Sequence, residues 1–389
     1  MLKLQLMYKD NYKNLLFTGG HHNSAVAVID YIQSNFPHIK IFWVGKKYIP
    51  HTKKLLPEYN EVTKRGVEYH KINTGKVFRT TSIKYIPQVV YNLLLIPFGF
   101  LQAFFILSKI KPDVIVSFGG YIAVPIVVVG KVFYRISVIS HEQTAVLGLA
   151  NKTTAKYSEK ICVSWPIENY VVSDDIKKKM IYTGLPVRKV ILDLVNNNAE
   201  FIKLFDNSNR TLYVTGGKSG AQFLNKLVYE SFDEIIKDFN LIWQCGPSKV
   251  EYGFNFIKEF LNNKPENVRE HVILQEYFNE DEIGNVFYTS DIVLSRGGAH
   301  TTYELVLMQK PSILIPIPWA SNNEQYKNAE IVKNIGLAEI LDQNSTNTEE
   351  FINILFKMKE NIDKYKVVND IKLPLDGQKR VAKEIIKLL

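Results

Sequence analysis

Four pairs of adjacent glycines follow short apolar runs in this sequence, at positions 19–20, 119–120, 216–217 and 297–298. A glycine pair after a strand lets the backbone turn sharply and approach a ligand, and the helix that follows offers free N–H groups and a positive dipole end. These turns therefore predict an anion such as diphosphate, with an empty tight turn as the alternative for any single pair. The GxGxxG and GxxxxGK[ST] patterns do not fit them, so dinucleotide and P-loop sites are not favoured.

Three ionisable side chains are candidates for binding or catalysis beside these turns. Glu304 follows the last glycine pair inside a predicted helix, where its carboxylate could accept hydrogen bonds from the two hydroxyls of a ribose. A capping or surface glutamate is the alternative. His21 and Glu142 are the candidate general bases that would take a proton from an attacking hydroxyl, with a structural histidine as the alternative for His21.

The glycine turns belong to a unit that occurs twice. Residues 15–20 (LLFTGG) are echoed by residues 212–217 (LYVTGG), and residues 113–120 (DVIVSFGG) by residues 291–298 (DIVLSRGG). The two landmarks come in the same order in both halves, so the sequence predicts two copies of one architecture.

Between the landmarks, continuous apolar runs alternate with helical segments. The runs at 39–44, 137–140, 241–245 and 312–317 predict parallel strands that are buried on both faces. This βαβ alternation indicates an α/β fold with two doubly wound Rossmann-like domains, whose ligand sites face each other across a cleft. The expected domains are residues 1–185 and 186–375, and a C-terminal helix over 376–389 is expected to pack back on the first domain.

Charge and cysteine content limit the partners and the compartment. The first 185 residues carry 24 Lys and Arg against 11 Asp and Glu, whereas the remaining residues carry 24 against 28. A basic first half fits nucleic acid, a phosphate-bearing membrane surface or a lipid pyrophosphate, with a solvated basic face as the alternative.

The two cysteines form no CxxC or Cys/His cluster, so we predict no metal site and a reducing cytoplasm.

One segment bears on membrane association. Residues 85–108 form a stretch of 24 residues without a charge, flanked by Lys84, Lys109 and Lys111. Its length is sufficient to span a bilayer, but Pro87 and Pro97 interrupt it. An interfacial or membrane-dipping helix is the favoured interpretation, with a buried helix and a spanning helix as alternatives.

Seven motifs along the chain carry a family resemblance. They are TGGH at 18–21, FGGY at 118–121, HEQT with GLANK at 141–152, GLPVR ending at 188, GGKSGA at 216–221, SRGGAHTTYE at 295–304 and NNEQYKNA at 322–329. Together they resemble the MurG family, and HEQ followed by GLANK is close to diagnostic. The resemblance implies a GT-B fold and an inverting transfer of N-acetylglucosamine from UDP-N-acetylglucosamine to a lipid-pyrophosphate-linked sugar, the step from lipid I to lipid II in peptidoglycan synthesis.

The resemblance also implies a role for individual residues. Glu304 would hold the ribose, and His21 and Glu142 would be the catalytic candidates on the acceptor side. The implied donor-binding residues are Arg188, Gly216, Gly217, Lys218, Ser219, Ala299, Thr301, Glu304, Glu324 and Gln325. The implied acceptor-binding residues are Gly19, Gly20, Gly119, Gly120, Tyr121, His141 and Gln143.

Four positions depart from the family pattern. The first turn has one glycine pair before His21 where the family usually has two, so the acceptor loop is shorter. Thr144 replaces the usual Asn of HEQN, Lys218 and Ser219 replace Ser-Gln, and Glu324 replaces the first Gln of Gln-Gln. These changes leave the predicted donor nucleotide as it is. They weaken the prediction of which sugar and which acceptor the protein binds.

Several functions compete at this stage. The expected enzyme is a hexosyltransferase that needs no cofactor or metal and lies peripherally on the cytoplasmic face of the cell membrane. Its expected partners are UDP-N-acetylglucosamine, a lipid-pyrophosphate acceptor and an anionic membrane surface, with no nucleic acid. The alternatives are a UDP-sugar epimerase of the same fold, a glycolipid synthase with a different lipid acceptor and a non-catalytic nucleotide-binding module.

Overall fold

The computed structural model describes residues 13–48, 54–77, 85–217, 219–247, 251–367 and 373–389. The chain divides into two compact units. Unit 1 comprises Met1–Arg188 and Pro374–Leu389, and unit 2 comprises Lys189–Leu373. Unit 2 is therefore inserted between two segments of unit 1.

Seven parallel strands in the described part of unit 1 form one sheet, in the order β3-β2-β1-β4-β5-β6-β7. Their bounds are β1 (Lys13–Gly19), β2 (Ile39–Gly45), β3 (Glu68–Lys71), β4 (Val114–Phe118), β5 (Ser137–Glu142), β6 (Lys160–Val163) and β7 (Met180–Tyr182). Every residue of the central strand β4 is buried, as expected for a parallel sheet that is covered on both faces.

Helices cover both faces of this sheet. They are α1 (His22–Asn35), α2 (Pro57–Thr63), α3 (Ile86–Ile110), α4 (Ala123–Val132), α5 (Leu149–Thr154), α6 (Asp174–Lys177) and, after unit 2, α16 (Gly377–Ile386). The buried stripe of α1 includes Ala25, Val28, Ile29 and Ile32, which recur at helical spacing. This stripe shares one hydrophobic core with α16, so the last helix of the chain packs on unit 1. The opposite face of the sheet packs against α3 and α4.

The helix α3 is exposed along most of its length. It continues through Pro97 and buries only a narrow stripe, whereas Leu94 is 71% exposed and Phe105 is 63% exposed. Within the described residues it is the one helix that is long and apolar enough to cross a membrane, and 11% of its most apolar window is buried in the protein. This exposure contradicts the alternative of an ordinary buried helix.

Six parallel strands in the described part of unit 2 form the second sheet, in the order β10-β9-β8-β11-β12-β13. The strands are β8 (Arg210–Thr215), β9 (Phe239–Gln244), β10 (Val272–Gln275), β11 (Ile292–Ser295), β12 (Ser312–Leu314) and β13 (Ala338–Ile340). The helices are α7 (Lys189–Asn196), α8 (Gln222–Glu230), α9 (Phe232–Ile235), α10 (Phe254–Asn262), α11 (Glu266–Arg269), α12 (Glu280–Thr289), α13 (Ala299–Leu307), α14 (Glu324–Asn334) and α15 (Thr348–Glu360).

The predicted α/β fold with two doubly wound, Rossmann-like parallel sheets is confirmed. In each unit the two strands that carry glycine pairs are adjacent, β1 beside β4 and β8 beside β11. The strand order reverses at these pairs, which is where sheets of this kind bind ligands. The unit boundaries fall at 188/189 and 373/374, a few residues from the expected 185/186 and 375/376. The strand expected over 312–317 ends at Leu314 because its partner β13 has only three residues.

Candidate functional site

Unit 2 contains a cavity of about 640 Å³ at the carboxyl ends of β8 and β11. Its walls come from the glycine turns after these strands, the start of α8 and the loop after β12. The residues around it include Gly216, Gly217, Arg296, Thr301, Trp319 and Gln325. We call this space the unit 2 cavity.

The turn from β8 to α8 is tight because glycine occupies its left-handed positions. Gly217 has φ of 73° and Gly220 has φ of 70°, and a Cβ atom on Gly216 would lie 2.3 Å from the backbone nitrogen of Ala221. The N-cap residue of α8 is Ala221, whose methyl side chain cannot cap the helix. Its first backbone N–H groups are therefore available to an anion in the cavity.

A buried glutamine from β9 holds this turn in place. The side-chain amide of Gln244 donates to Oγ1 of Thr215 at 2.9 Å and to the carbonyl of Gly217 at 3.2 Å. Gln244 is 3% exposed, so these hydrogen bonds are shielded from water. The turn is thus fixed before a ligand arrives.

Arg296 is the principal buried cation of the unit 2 cavity. Its Nη1 donates to the carbonyl of Ile315 at 2.8 Å, whereas its buried Nε has no hydrogen-bond partner among the described residues. Burial lowers the pKa of Arg296 to about 10, which still leaves the side chain protonated at neutral pH. A buried guanidinium with an unused donor fits an anionic ligand.

The turn from β11 to α13 is packed against α14. A Cβ atom on Gly297 would lie 2.0 Å from the carbonyl oxygen of Gln325, and the amide of Asn328 donates to the carbonyl of Gly297 at 2.9 Å. The side-chain oxygen of Gln325 accepts from the backbone N–H of Ile317 at 3.0 Å. This oxygen therefore positions the loop after β12.

The cavity brings together only part of the expected donor-binding set. Gly216, Gly217, Thr301 and Gln325 line it. The other described members in unit 2 lie outside its lining: Ser219 is exposed, Ala299 and Glu304 are buried in α13, and Glu324 begins α14. Lys218 lies outside the described residues. Arg188 is the last residue of the first segment of unit 1, and its role at the nucleotide stays a prediction.

Several cavity residues were not singled out from the sequence, among them Arg296, Phe223 and Trp319. Arg296 is part of the SRGG motif. A cation between a buried strand and a glycine pair could have indicated an anion-binding residue. Phe223 contributes an aromatic ring to the wall, with the Arg296 guanidinium 5.8 Å from its centroid. Trp319 also lines the cavity and is 75% exposed. It lies in an irregular loop, where no sequence periodicity predicts which way a side chain points.

In unit 1 the two glycine turns contact each other. The backbone N–H of Gly20 donates to the carbonyl of Gly119 at 3.0 Å. A Cβ atom on Gly19 would lie 2.7 Å from the backbone of Phe118, and one on Gly120 would lie 2.9 Å from the nitrogen of Gly20. Only glycine permits this close approach. The TGGH and FGGY motifs therefore form one structure at the ends of β1 and β4.

His21 stands at the start of α1, next to these turns. Its Nδ1 atom lies 2.6 Å from the side-chain amide of Gln143. Desolvation lowers the pKa of His21, and the charge of Glu142 opposes this effect without reversing it. The residue retains an exposed surface. A neutral and accessible imidazole is therefore favoured at neutral pH.

Two further residues of the expected acceptor side, His141 and Tyr121, also have defined contacts in unit 1. Burial lowers the pKa of His141 to about 3, so its ring stays neutral, and it packs 5.2 Å from the ring of Phe118. The ammonium group of Lys46 lies 5.0 Å from the ring centroid of Tyr121. Lys46 had not been predicted, and it brings a positive charge to the FGGY turn.

Glu142 is committed to hydrogen bonds within unit 1. Its Oε1 accepts from the backbone N–H of Thr144 at 3.0 Å. Its Oε2 accepts from the backbone N–H of Gly148 and from the amide of Asn151, both at 2.9 Å. The residue is 3% exposed. This geometry gives Glu142 a structural role in joining the HEQT and GLANK segments, and of the two candidate bases it favours His21.

Two models of known domain families match the chain. The glycosyltransferase family 28 N-terminal domain matches residues 18–163, and the glycosyltransferase family 28 C-terminal domain matches residues 211–387. Each match contains two of the glycine turns. Both halves of the chain thus have the sequence pattern of one class of enzyme, the family 28 glycosyltransferases.

Curated relatives narrow this class. A protein of Clostridium tetani is 32% identical over 354 residues, covering 91% of this chain and 92% of its own length. A protein of Clostridium botulinum is 31% identical over 382 residues, covering 96% of this chain and 99% of its own length. Both are named UDP-N-acetylglucosamine--N-acetylmuramyl-(pentapeptide) pyrophosphoryl-undecaprenol N-acetylglucosamine transferase. The chain belongs to the family of these transferases, the MurG family.

Solved structures agree on the fold. The crystal structure of Acinetobacter baumannii MurG matches with a TM-score of 0.68 at 20% identity, covering 96% of this chain and 99% of that one. The UDP-GlcNAc 2-epimerase of Neisseria meningitidis matches with a TM-score of 0.64 at 14% identity, covering 96% of this chain and 100% of that one. Transferases and epimerases therefore share this architecture, and the sequence relationship is what separates them.

Proposed function

We propose that this protein transfers N-acetylglucosamine from UDP-N-acetylglucosamine to a sugar that is linked through pyrophosphate to a lipid. The reaction is the one stated in the names of its relatives. The observation that carries the proposal is the unit 2 cavity, in which a glycine turn, an uncapped helix start and the buried Arg296 converge. These groups suit a nucleoside diphosphate.

The cavity accounts for donor binding and for departure of the leaving group. Its size is within the range of about 300–1,000 Å³ that is typical of small-molecule sites. The N–H groups at the start of α8 and the guanidinium of Arg296 would stabilise the negative charge that develops on the diphosphate. Thr301 and Gln325 line the cavity, where they would meet the nucleotide and the sugar, and Glu304 is retained as the proposed ribose ligand.

The cluster around His21 accounts for acceptor activation. In the proposed step, the acceptor hydroxyl oxygen forms a bond to the anomeric carbon while the bond from that carbon to the diphosphate oxygen breaks. The hydroxyl proton passes to the imidazole of His21, and UDP carries away the electron pair of the broken bond. Attack from the face opposite the leaving group would invert the anomeric carbon. Gly20, Gly120, Tyr121 and Lys46 would line the acceptor side.

The exposed face of α3 supports a peripheral position on the cytoplasmic face of the membrane. Large apolar side chains, including Tyr91, Leu94 and Phe105, are exposed along the helix. Val132 and Phe133 at the end of α4 extend the same surface. Lys109 and Lys111 are exposed at the end of α3, where they would meet anionic head groups. A lipid-linked acceptor would reach the enzyme from this surface.

One assay separates the proposal from its alternatives. The full-length protein is incubated with radiolabelled UDP-N-acetylglucosamine and a lipid-pyrophosphate-linked muramoyl acceptor, and we expect label to enter the lipid fraction. The same sugar without the lipid pyrophosphate serves as the matched control acceptor. Proton NMR of the donor alone follows the epimerase reaction. Formation of the C2 epimer without acceptor, together with an unlabelled lipid fraction, would refute the transferase.

A further inference from the structure

We infer that Gln143 is a positioning residue for His21: its amide oxygen accepts a hydrogen bond from Nδ1–H of the ring and leaves the lone pair on Nε2 to take the acceptor's proton. This inference rests on the proposed function, because it assigns a purpose to the hydrogen bond only if His21 is a base. It gives Gln143 a role different from the direct acceptor contact expected from the sequence.

The contact joins two motifs that are far apart in the sequence. The structure sets the side-chain nitrogen Nε2 of Gln143 2.6 Å from Nδ1 of His21, and the buried amide oxygen Oε1 has no hydrogen-bond partner among the described residues. Gln143 is 7% exposed, whereas His21 retains exposed surface. A buried amide thus holds one ring nitrogen of a histidine that remains accessible to a second molecule.

The orientation of this amide decides what His21 can do. The two ends of a glutamine amide have the same shape, so oxygen and nitrogen are assigned from the hydrogen-bond network. With the nitrogen toward Nδ1, the neutral ring carries its proton on Nε2 and has no free lone pair. With the oxygen toward Nδ1, the proton sits on Nδ1 and Nε2 is free to accept another.

Two considerations favour the oxygen. The 2.6 Å separation between Nε2 of Gln143 and Nδ1 of His21 is shorter than the roughly 2.7–3.2 Å of an N–H···O bond, so exchanging the two ends of the amide, which puts the oxygen at Nδ1, suits the contact better than an N–H···N bond does. The oxygen also remains a good partner after proton transfer, because both nitrogens of the imidazolium are donors. An amide nitrogen in that place would then set one N–H group against another.

A neutral partner suits a base that must work near neutral pH. The ionisable groups that act on His21 are Glu142, whose charge raises its pKa, and His141, which interacts with it electrostatically. Desolvation outweighs Glu142, so the pKa of His21 stays below its ordinary value. A carboxylate in place of Gln143 would add a second negative charge and hold the proton more tightly. An amide orients the ring without raising the pKa of His21.

The backbone of Gln143 is itself fixed. The residue follows β5 and stands between Glu142 and Thr144, which are joined by the bond from the Thr144 N–H to Oε1 of Glu142. The bond from Gly148 to Oε2 of Glu142 closes the same loop. Glu142 therefore anchors the segment that carries Gln143, and Gln143 in turn orients His21.

The tautomer of His21 tests the inference directly. The full-length protein is labelled with ¹⁵N-histidine, and long-range proton–nitrogen correlations are recorded above the pKa of His21, with its signals assigned by their loss in His21→Ala. We expect a protonated Nδ1 and an unprotonated Nε2. The opposite pattern in the wild-type protein would overturn the inference, and this measurement requires no folded variant of Gln143.

Three variants connect the tautomer to turnover. Gln143→Leu should lower kcat by about 10²-fold or more, leave the KM for UDP-N-acetylglucosamine unchanged and move the His21 proton to Nε2. Gln143→Glu retains an oxygen acceptor, so it should keep Nδ1 protonated, recover much of kcat and shift the acidic limb of the pH profile to higher pH. Gln33→Leu, which removes an amide near the end of α1 that donates to the carbonyl of Arg65, should match the wild type.

The outcomes distinguish this inference from the proposed function. An active wild-type protein with equal loss of kcat in Gln143→Leu and Gln143→Glu would overturn the positioning role. In the His21→Ala background, Gln143→Leu should cause no further loss, and a further tenfold loss would also contradict it. A wild-type protein with protonated Nδ1 but no transferase activity would refute the proposed function and leave the hydrogen bond supported.

Discussion

The helix that leads into the second glycine-bearing strand differs sharply between the two units. In unit 1 it is α3, with 25 residues and a largely exposed apolar surface. In unit 2 it is α12, with 10 residues, a capping box between Asn279 and Glu282, and a stripe of buried apolar residues. The same topological position thus carries a long helix with an exposed apolar surface in one unit and a short helix with a buried apolar stripe in the other.

The glycine turns differ in the same way. In unit 1 the turns after β1 and β4 bond to each other through Gly20 and Gly119, and they place His21 against Gln143. In unit 2 the corresponding turns stand apart around a cavity that holds Arg296. A repeated architecture therefore does not imply a repeated ligand: the proposed acceptor chemistry belongs to unit 1 and the proposed nucleotide site to unit 2.

The largest effect is expected from removing the proposed base. His21→Ala should reduce turnover by about 10²–10⁴-fold, because the acceptor hydroxyl loses general base assistance. UDP affinity, measured by calorimetric titration, should be unchanged, since the cavity proposed to bind the nucleotide lies in unit 2. Loss of UDP binding together with turnover in His21→Ala would contradict the proposal that the acceptor site lies in unit 1 and the nucleotide site in unit 2.

The converse change is in unit 2. Arg296→Met should weaken UDP binding by about 1.5–3 kcal/mol, because a charged hydrogen bond to the diphosphate is lost. Arg210→Met is the matched control, since Arg210 is surface-exposed and pairs with Asp291 in the same unit. Calorimetric titration of both variants measures the difference. Unchanged affinity in a folded Arg296→Met protein would exclude Arg296 from the nucleotide site.

Glu142→Gln separates structure from catalysis within unit 1. The amide cannot accept all the bonds that the carboxylate receives from Thr144, Gly148 and Asn151. We expect the free energy of unfolding, measured by urea denaturation, to fall by about 1–3 kcal/mol. The exposed Glu168→Gln serves as control. Normal stability combined with a large loss of turnover would instead return Glu142 to the role of base.

The difference between α3 and α12 predicts a difference in membrane binding. Leu94→Gln with Phe105→Gln should weaken binding to anionic vesicles by about tenfold or more, because apolar surface is no longer transferred from water. Tyr288→Gln, at an exposed position of α12, should have no effect. High salt should release much of the wild-type protein, since Lys109 and Lys111 attract head groups electrostatically. Resistance to both salt and alkaline carbonate would indicate a spanning helix.

The smallest expected effect is on pH dependence. His21 must be unprotonated to accept a proton, and its pKa is lowered from 6.5. The value of kcat/KM should therefore be constant at neutral pH and fall only as the pH drops through a value below 6.5. Affinity for UDP-N-acetylglucosamine, whose diphosphate is esterified at both ends and does not titrate in this range, should stay constant, because Arg296 with its pKa of about 10 remains charged. An acidic limb above pH 7 would contradict the assignment of His21.

Much of the fold could be read from local patterns. The apolar runs before each glycine pair predicted β1, β4, β8 and β11, because strands buried on both faces need no polar alternation. Strand ends were less accurate, as β12 shows, because its length depends on a partner strand elsewhere in the chain. The surroundings of α3 could not be decided from the sequence, since length and composition are the same for a buried and an exposed apolar helix.

The candidate site was only partly predictable. The glycine turns are visible because their chemistry is local. The contact between His21 and Gln143 and the commitment of Glu142 to Gly148 and Asn151 depend on how β1, β5 and α5 come together. No spacing in the sequence encodes these distances. Trp319 lies in an irregular loop and was missed for the same reason.

The insertion of unit 2 into unit 1 has a consequence for biosynthesis. The core of unit 1 includes Leu15 and Phe17 from β1, but also Val381, Ala382 and Ile385 from α16. On the ribosome, where about 5–20 residues are added per second, all of unit 2 is made before α16 exists. Unit 2 can finish folding while the earlier unit still exposes apolar surface. A premature stop ahead of Val381 would therefore damage the half of the protein that was synthesised first.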